Sequence, residues 1–397
     1  MNLGRTYKDL LRVNPGAYVN FARGYLAGLL GFSRLYCYPG DLDIVLTKAC
    51  NLRCTFCLSY GSLTGSRWMD FALYEEIARE LFPRAAIVRF CSGGEPFLYP
   101  RLREALQLAR RHRTITHMIS NGTLINRENA GWLVEDQSLH ELYISFDGAR
   151  KDTVERIRRG ASFDNILNNL SYLTSYKNKQ GLRYPRLSFH YIVMRSNLEE
   201  LPEVFKLCSQ YGVHQVKVAF LNVTNELDVD ESLYYHQEDA APVFQEARRR
   251  AREAGIRLDL PPLPSQDPGG HRCLKPWQFC QIDPDGSIRF CHRAWQQRLG
   301  FFAYGFVSIW RGEPYRKIRQ TINSLTPYFP YCQYCAERVG FGKESSHNQR
   351  IHDEAYVIQG LEHWQVPFNQ RRLENYYSQA ELKSEAGVAE DAPPPED

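Results

Sequence analysis

Residues 42–57 read LDIVLTKACNLRCTFC, an apolar, β-prone run followed almost at once by Cys50, Cys54 and Cys57 in a C-x3-C-x2-C spacing. The first half reads as a strand and the second as a tight loop behind it. Three thiols on one loop can converge on one metal centre, and three is one short of the four that a structural zinc site or a closed cubane takes. One metal position is therefore left open. A zinc site or three incidental thiols is the alternative reading of the same spacing.

Outward from this loop the pattern repeats. AIVRFCS (86–92), ITHMIS (115–120), ELYISFD (141–147), RLSFHYIVM (186–194) and VKVAFLNV (216–223) continue the strand series to six. Between them lie helical periodicities, in FALYEEIARELF from Phe71, RLREALQLARRH from Arg101 and LPEVFKLCSQYG from Leu201, the last closing on Gly212 as a C-cap. Repeated βα units require parallel strands and right-handed crossovers, so residues 41–260 are expected to form an α/β fold, a partial (β/α)6 TIM-like barrel with ligand loops at the strands' C-terminal ends.

Residues 1–40 read as a helical lead-in packed on the barrel, an interfacial amphipathic helix being the alternative. The Pro/Gly-rich PPLPSQDPGG (261–270) opens a small cysteine-rich module over 261–345. In it QFCQID and SIRFC flank the turn residues Pro284, Asp285 and Gly286 as a β-hairpin, and a helix is expected around 313–325. An extension follows at 346–377. The stretch 378–397 carries six acids against one lysine and ends in PPPED, so it reads as a disordered tail.

Composition narrows the function classes. The 397 residues are 43% apolar, with 24 Tyr and 21 Phe, enough for a sizeable core. A net charge of +4, from 49 basic and 45 acidic residues without a long basic run, gives no case for a dedicated nucleic-acid binder. No apolar stretch approaches the ~20 residues of a membrane-spanning helix, and the start of the chain lacks a small-x-small cleavage site, so a cytoplasmic protein is expected. Eleven cysteines, odd in number and clustered, point to metal ligation rather than a disulfide framework.

Cys273 and Cys291 flank Gly286 in a C-x12-G-x4-C pattern, and Cys332 with Cys335 forms a C-x2-C. Four thiolates make a closed set for zinc or a 4Fe-4S cluster, and spacing does not choose between them. Cys280 reads as a core or near-cluster thiol, and Cys37, Cys91 and Cys208 as buried thiols.

The Cys50–Cys57 loop resembles the signature of the radical S-adenosylmethionine (SAM) enzymes, with Phe56 at its aromatic position. CSGGEP after the second strand resembles that family's GGEP motif: Gly93 and Gly94 permit close backbone approach, and Glu95 is the carboxylate that receives the methionine ammonium. The turn Ser120-Asn121-Gly122 is similar to the family's TNG-like turn, and Ser145 and Asp147 to its S-x-D-G, where polar groups face ribose and substrate. A solvated Asx turn is the plainer reading of Asp147. CLKPWQFCQIDPDGSIRFC and VSIWRGEPYRKIRQ resemble the SPASM/twitch extension, in its shorter twitch form.

The resemblance implies two 4Fe-4S clusters, one held by Cys50, Cys54 and Cys57 with SAM on the open iron, and an auxiliary one held by Cys273, Cys291, Cys332 and Cys335. It implies reductive cleavage of SAM to a 5′-deoxyadenosyl radical, hydrogen abstraction, and passage of an electron to the auxiliary cluster, with a flavodoxin or ferredoxin as reductant. The leading expectation is an oxidoreductase acting on a small molecule, dehydrogenating a sugar or cyclitol alcohol. Modification of a ribosomal peptide or protein is the alternative, and a zinc-binding, non-catalytic scaffold the alternative of another class. No spacing singles out a catalytic base.

Overall fold

The computed structural model describes residues 14–57, 68–222, 230–234, 236–266, 270–292, 297–329, 332, 333, 335 and 338. The extension and acidic tail of the sequence reading lie outside these residues.

A lead-in helix, α1 (Pro15–Leu30), starts at Asn14, whose side chain accepts from the Gly16 N–H, and stops at a left-handed Gly31. The alternation then runs β1 (Asp41–Ile44), α2 (Phe71–Leu81), β2 (Ile87–Phe90), α3 (Leu102–Arg111), β3 (Ile115–Ser120), α4 (Arg127–Asp136), β4 (Glu141–Ser145), α5 (Lys151–Ile157), α6 (Phe163–Lys179), β5 (Arg186–Val193), α7 (Val204–Tyr211), β6 (Val213–Phe220), α8 (Gln237–Glu253) and β7 (Arg257–Asp259). Adjacent strands from β1 to β7 are all parallel. The helix α7 does end on Gly212, at φ 70°.

Strand alternation divides the side chains. Leu42, Val88, Phe90, Met118, Leu142, Ile144, Phe189 and Val216 are buried in the main core, which they share with Tyr74, Ile77 and Leu106 of the helices. The other pleat is polar: Arg89 pairs with Asp41 at 2.6 Å and reaches the His117 ring at 3.2 Å, and that ring meets Tyr143 edge-on. A polar concave face on a strongly apolar sheet is a place for ligand rather than for packing.

The second module contributes α9 (Lys275–Gln278), β8 (Phe279–Ile282), β9 (Ser287–Arg289), β10 (Gly300–Phe301), α10 (Phe306–Trp310) and α11 (Glu313–Thr321). Its hairpin forms at the expected turn, with Gly286 at φ 76°. The module is joined to the barrel through the sheet: β8 pairs parallel to β1, Leu42 facing Cys280, and the strand order is β10-β9-β8-β1-β2-β3-β4-β5-β6-β7. The hairpin therefore extends the barrel sheet at the edge beside the cysteine loop.

The lead-in helix packs as the sequence suggested, through small residues. A Cβ on Gly24 would lie 2.7 Å from the Trp277 carbonyl oxygen, and one on Gly28 would lie 3.3 Å from the Trp277 ring. Trp277 in turn donates to the Phe32 carbonyl at 2.6 Å, and Trp310 donates to that of Cys37 at 2.9 Å. Buried Arg319 joins these pieces. It donates to the Pro276 and Trp310 carbonyls, both at 2.9 Å, with its guanidinium 4.5 Å from the Trp310 ring centre. Burial lowers its pKa to about 10, so it stays charged at neutral pH. Among the described residues no helix is long and apolar enough to cross a membrane.

Replacing Arg319 by Met leaves those two carbonyls without their donor in a buried junction, and a loss of about 2–4 kcal/mol in unfolding free energy is expected. Chemical denaturation of the anaerobically purified protein measures it.

Candidate active site at the cysteine loop

The three cysteines lie on the segment that leaves the C-terminal end of β1, and two neighbours hold that segment in place. On one side is the turn after β2: the Gly94 N–H donates to the Thr47 carbonyl at 2.8 Å and the Glu95 N–H to that of Ala49 at 2.7 Å. The approach is so close that a Cβ on Gly94 would fall 1.8 Å from the Ala49 oxygen, and one on Gly93, already at φ 92°, would fall 2.5 Å from the Thr47 oxygen. Only glycine fits either position. On the other side the Arg53 and Thr55 N–H groups donate to the carbonyls of Arg159 and Ile157, at the end of α5.

Glu95 is buried and reads three donors: Ser120 Oγ at 2.8 Å, the Asn121 N–H at 2.7 Å and the Phe97 N–H at 3.2 Å. Burial outweighs these donors and raises its pKa to about 7. Asn121 bridges to the cysteine loop, donating to Asn51 Oδ1 at 2.9 Å, while Asn51 donates to Thr123 at 2.8 Å. Glu95 and Asn121 both act on the Cys50 thiol, whose pKa burial raises.

Cys54 lies deepest. Burial pushes its thiol up to about 12 although Arg158 opposes the shift, Nη1 standing 3.7 Å from Sγ. Arg158 is itself buried, bound to Asp147 Oδ2 at 2.6 Å, with its guanidinium 5.7 Å from the Phe56 ring centre. Phe56 packs on Ile157, Met194 and Leu221. Asp147 is fully buried; its other oxygen accepts the Ile192 N–H at 2.7 Å. The solvated Asx turn is thus overturned, and Asp147 faces Arg158. Ser145 ends β4 in register with His190.

Sequence reasoning missed Arg158. It sits in Arg156-Ile157-Arg158-Arg159, where its two arginine neighbours are exposed, and burial alone separates it from them.

The second set also gathers. Cys273, Cys332 and Cys335 lie within electrostatic reach of one another and of Cys291; burial pushes Cys273 up to about 12 and raises Cys332 further. Cys280 is buried against Tyr315. Among the described residues no three Cys, His, Asp or Glu side chains are drawn in tightly enough to hold one metal ion between them. The donor chemistry fits iron–sulfur clusters in both places: three soft ligands with a buried cation beside them in the first, four in the second.

The sequence pattern of the radical SAM superfamily matches residues 44–208, and that of the SPASM iron-sulfur cluster-binding domain matches residues 273–336. The chain is a radical SAM enzyme. Its cofactors are SAM and 4Fe-4S clusters, and the second module is of the SPASM type.

Similar curated proteins include the tungsten-containing aldehyde ferredoxin oxidoreductase cofactor-modifying protein of Pyrococcus furiosus, 23% identical over 75% of this chain and 87% of that protein. The mycofactocin maturase MftC of Mycobacterium ulcerans is 26% identical, over 71% and 77%. PqqA peptide cyclase of Gluconobacter oxydans is 22% identical, over 64% and 71%. Among solved structures, Streptococcus suis SuiB bound to S-adenosylmethionine superimposes with a TM-score of 0.60 at 18% identity, covering 80% of this chain and 75% of that one. This radical SAM enzyme thus shares the fold of SuiB.

Gly94→Ala tests the crossing of the two loops. Displacing the Ala49 carbonyl is expected to cut iron retained after anaerobic reconstitution to less than half that of the parent, with β-sheet circular dichroism preserved. Unchanged iron would show that the crossing does not hold the loop.

Proposed function

We propose that this radical SAM enzyme modifies a peptide or protein substrate. What carries the reading is the likeness, over 71% and 64% of the chain, to relatives named mycofactocin maturase and PqqA peptide cyclase. These relatives favour peptide modification over the sugar or cyclitol dehydrogenation expected first. In this chain one loop after β1 gathers three thiols and the second module gathers four.

In this proposal Cys50, Cys54 and Cys57 ligate one 4Fe-4S cluster, and Cys273, Cys291, Cys332 and Cys335 ligate the other. Together, a cluster reduced by a flavodoxin or ferredoxin and SAM bound to it would supply one-electron cleavage of the sulfonium, with methionine leaving, and so the power to take a hydrogen atom from substrate. The remaining roles belong to the chain. Glu95 accepts the ammonium group of SAM and Asn121 fixes the turn around it. Phe56 offers its ring as a wall for the adenine. Gly93 and Gly94 let the backbone approach, and Ser145 lines the ribose side. Arg158, oriented by Asp147, offsets the negative charge gathered at Cys54. On the concave face Lys217, in register with His190, presents an amine to the anionic groups of a substrate.

Cys54→Ala is expected to abolish 5′-deoxyadenosine formation, whereas Cys332→Ala keeps substrate-independent formation within a few-fold while losing modified product. Liquid chromatography of the anaerobic reaction measures both, and identical behaviour of the two variants would defeat the division of labour. Short peptides co-expressed with the enzyme are expected to return modified by tandem mass spectrometry; turnover of free sugars or cyclitols alone would contradict the proposal.

Glu95 also sets a pH dependence. Its carboxylate accepts an ammonium only when ionised, and with a pKa of about 7 it takes up a proton as pH falls below that value. SAM affinity should therefore fall roughly tenfold per pH unit below 7 and level off above it. Glu95→Gln should bind weakly with no such slope, as measured by equilibrium dialysis of labelled SAM.

A further inference from the structure

The helix α1 is packed inside out. Its buried residues are the small ones, Ala17, Gly24, Ala27 and Gly28, while Tyr18, Val19, Tyr25, Leu26, Leu29 and Leu30 face solvent. At 100° per residue these six lie side by side and cover nearly half of the helix circumference. Leu26 is 56% exposed and Leu30 58%, and the apolar surface continues past the helix end into Phe32 at 57% and Tyr36 at 90%. Most of the exposed large hydrophobic residues among the described part of the chain lie on this one segment. A contiguous apolar patch of this kind marks a contact surface.

Within residues 14–40 the charged side chains have one sign. Arg23 is the only charged residue of the helix and stands at the margin of the apolar face. Beyond the C-terminal end Arg34 is exposed, Arg272 reaches within 3.2 Å of where a Cβ on Gly31 would sit, and Arg311 donates to the Tyr36 carbonyl at 2.8 Å. No Asp or Glu occurs between Asp9 and Asp41.

We propose that α1 is a membrane-docking helix that seats on the surface of a bilayer containing anionic lipids. Ala17, Gly24, Ala27 and Gly28 turn the small face of the helix inward, Gly24 and Gly28 against Trp277. The large apolar side chains thus stand on its outer side beside basic residues, the pairing that an anionic bilayer surface recognises. Leucine and valine enter the acyl boundary, tyrosine sits at the headgroup level, and the arginines meet lipid phosphates. The chain's own acidic stretch at 378–397 would match the arginines but offers Leu382 and Val388 as its only large aliphatic residues, too little to cover this face. The helix is too short to span, and docking leaves the fold intact because the contacts with Trp277 lie on its opposite side.

The test is flotation of the full-length, cluster-loaded enzyme with vesicles of phosphatidylglycerol or of phosphatidylcholine, with light scattering of the free protein alongside. The enzyme is expected to float with phosphatidylglycerol vesicles at least tenfold more than with phosphatidylcholine. Leu26→Glu/Leu30→Glu should lower that binding at least tenfold with iron content and melting temperature unchanged, and Arg23→Glu should lower it severalfold. Should the double variant fail to load iron, Leu26→Ser/Leu30→Ser takes its place with the same expectation. No flotation with phosphatidylglycerol, flotation untouched by the substitutions, or a dimer in free solution that the substitutions dissociate would each overturn the proposal, the last assigning the face to a second copy of the chain.

Discussion

Two hydrogen bonds between loops carry the site: Gly94 to the Thr47 carbonyl and Glu95 to that of Ala49. They are possible because β1 and β2 are parallel neighbours, so the segments leaving them emerge at the same end of the sheet, and because two successive glycines let one backbone lie on the other. The cysteine loop is thereby pressed between the GGEP turn and the end of α5. The same contact brings the Glu95 carboxylate within electrostatic reach of Cys50. The crossing fixes the carboxylate relative to the cysteine loop.

Charge is the second constraint. Burial holds the Cys54 thiol protonated at neutral pH, so ligation of a metal must release protons, and thiolates at this depth need positive charge nearby. Arg158 supplies part of it. Its own burial is tolerable because Asp147 pairs with it, and Asp147 is fixed in turn by the Ile192 amide. The S-x-D-G turn after β4 thus acts on the cysteine loop through an arginine from the helix that follows.

The strand–helix alternation was legible because each of six strands carries a continuous apolar run and the helices between them carry their own period. The cysteine spacing, the GGEP turn and the hairpin at Gly286 were legible because each needs particular residues in a fixed local order. What escaped had no local signal. β7 is three half-buried residues without periodicity. The pairing of β8 with β1 joins segments from opposite ends of the chain, and nothing in QFCQID states which edge it will meet. Arg158 is one arginine among three in four positions, distinguished only by burial. Asp147 reads as a solvated turn residue until Arg158 is in view.

The central claim is that Cys50, Cys54 and Cys57 leave one iron free for SAM. Electron paramagnetic resonance of a dithionite-reduced Cys273→Ala/Cys291→Ala/Cys332→Ala variant, which keeps only the first cysteine set, tests it most directly. The account predicts a single 4Fe-4S signal whose g-values shift when SAM is added and do not shift in the same protein carrying Glu95→Gln at low SAM. A signal indifferent to saturating SAM, or a colourless protein holding stoichiometric zinc, would contradict it.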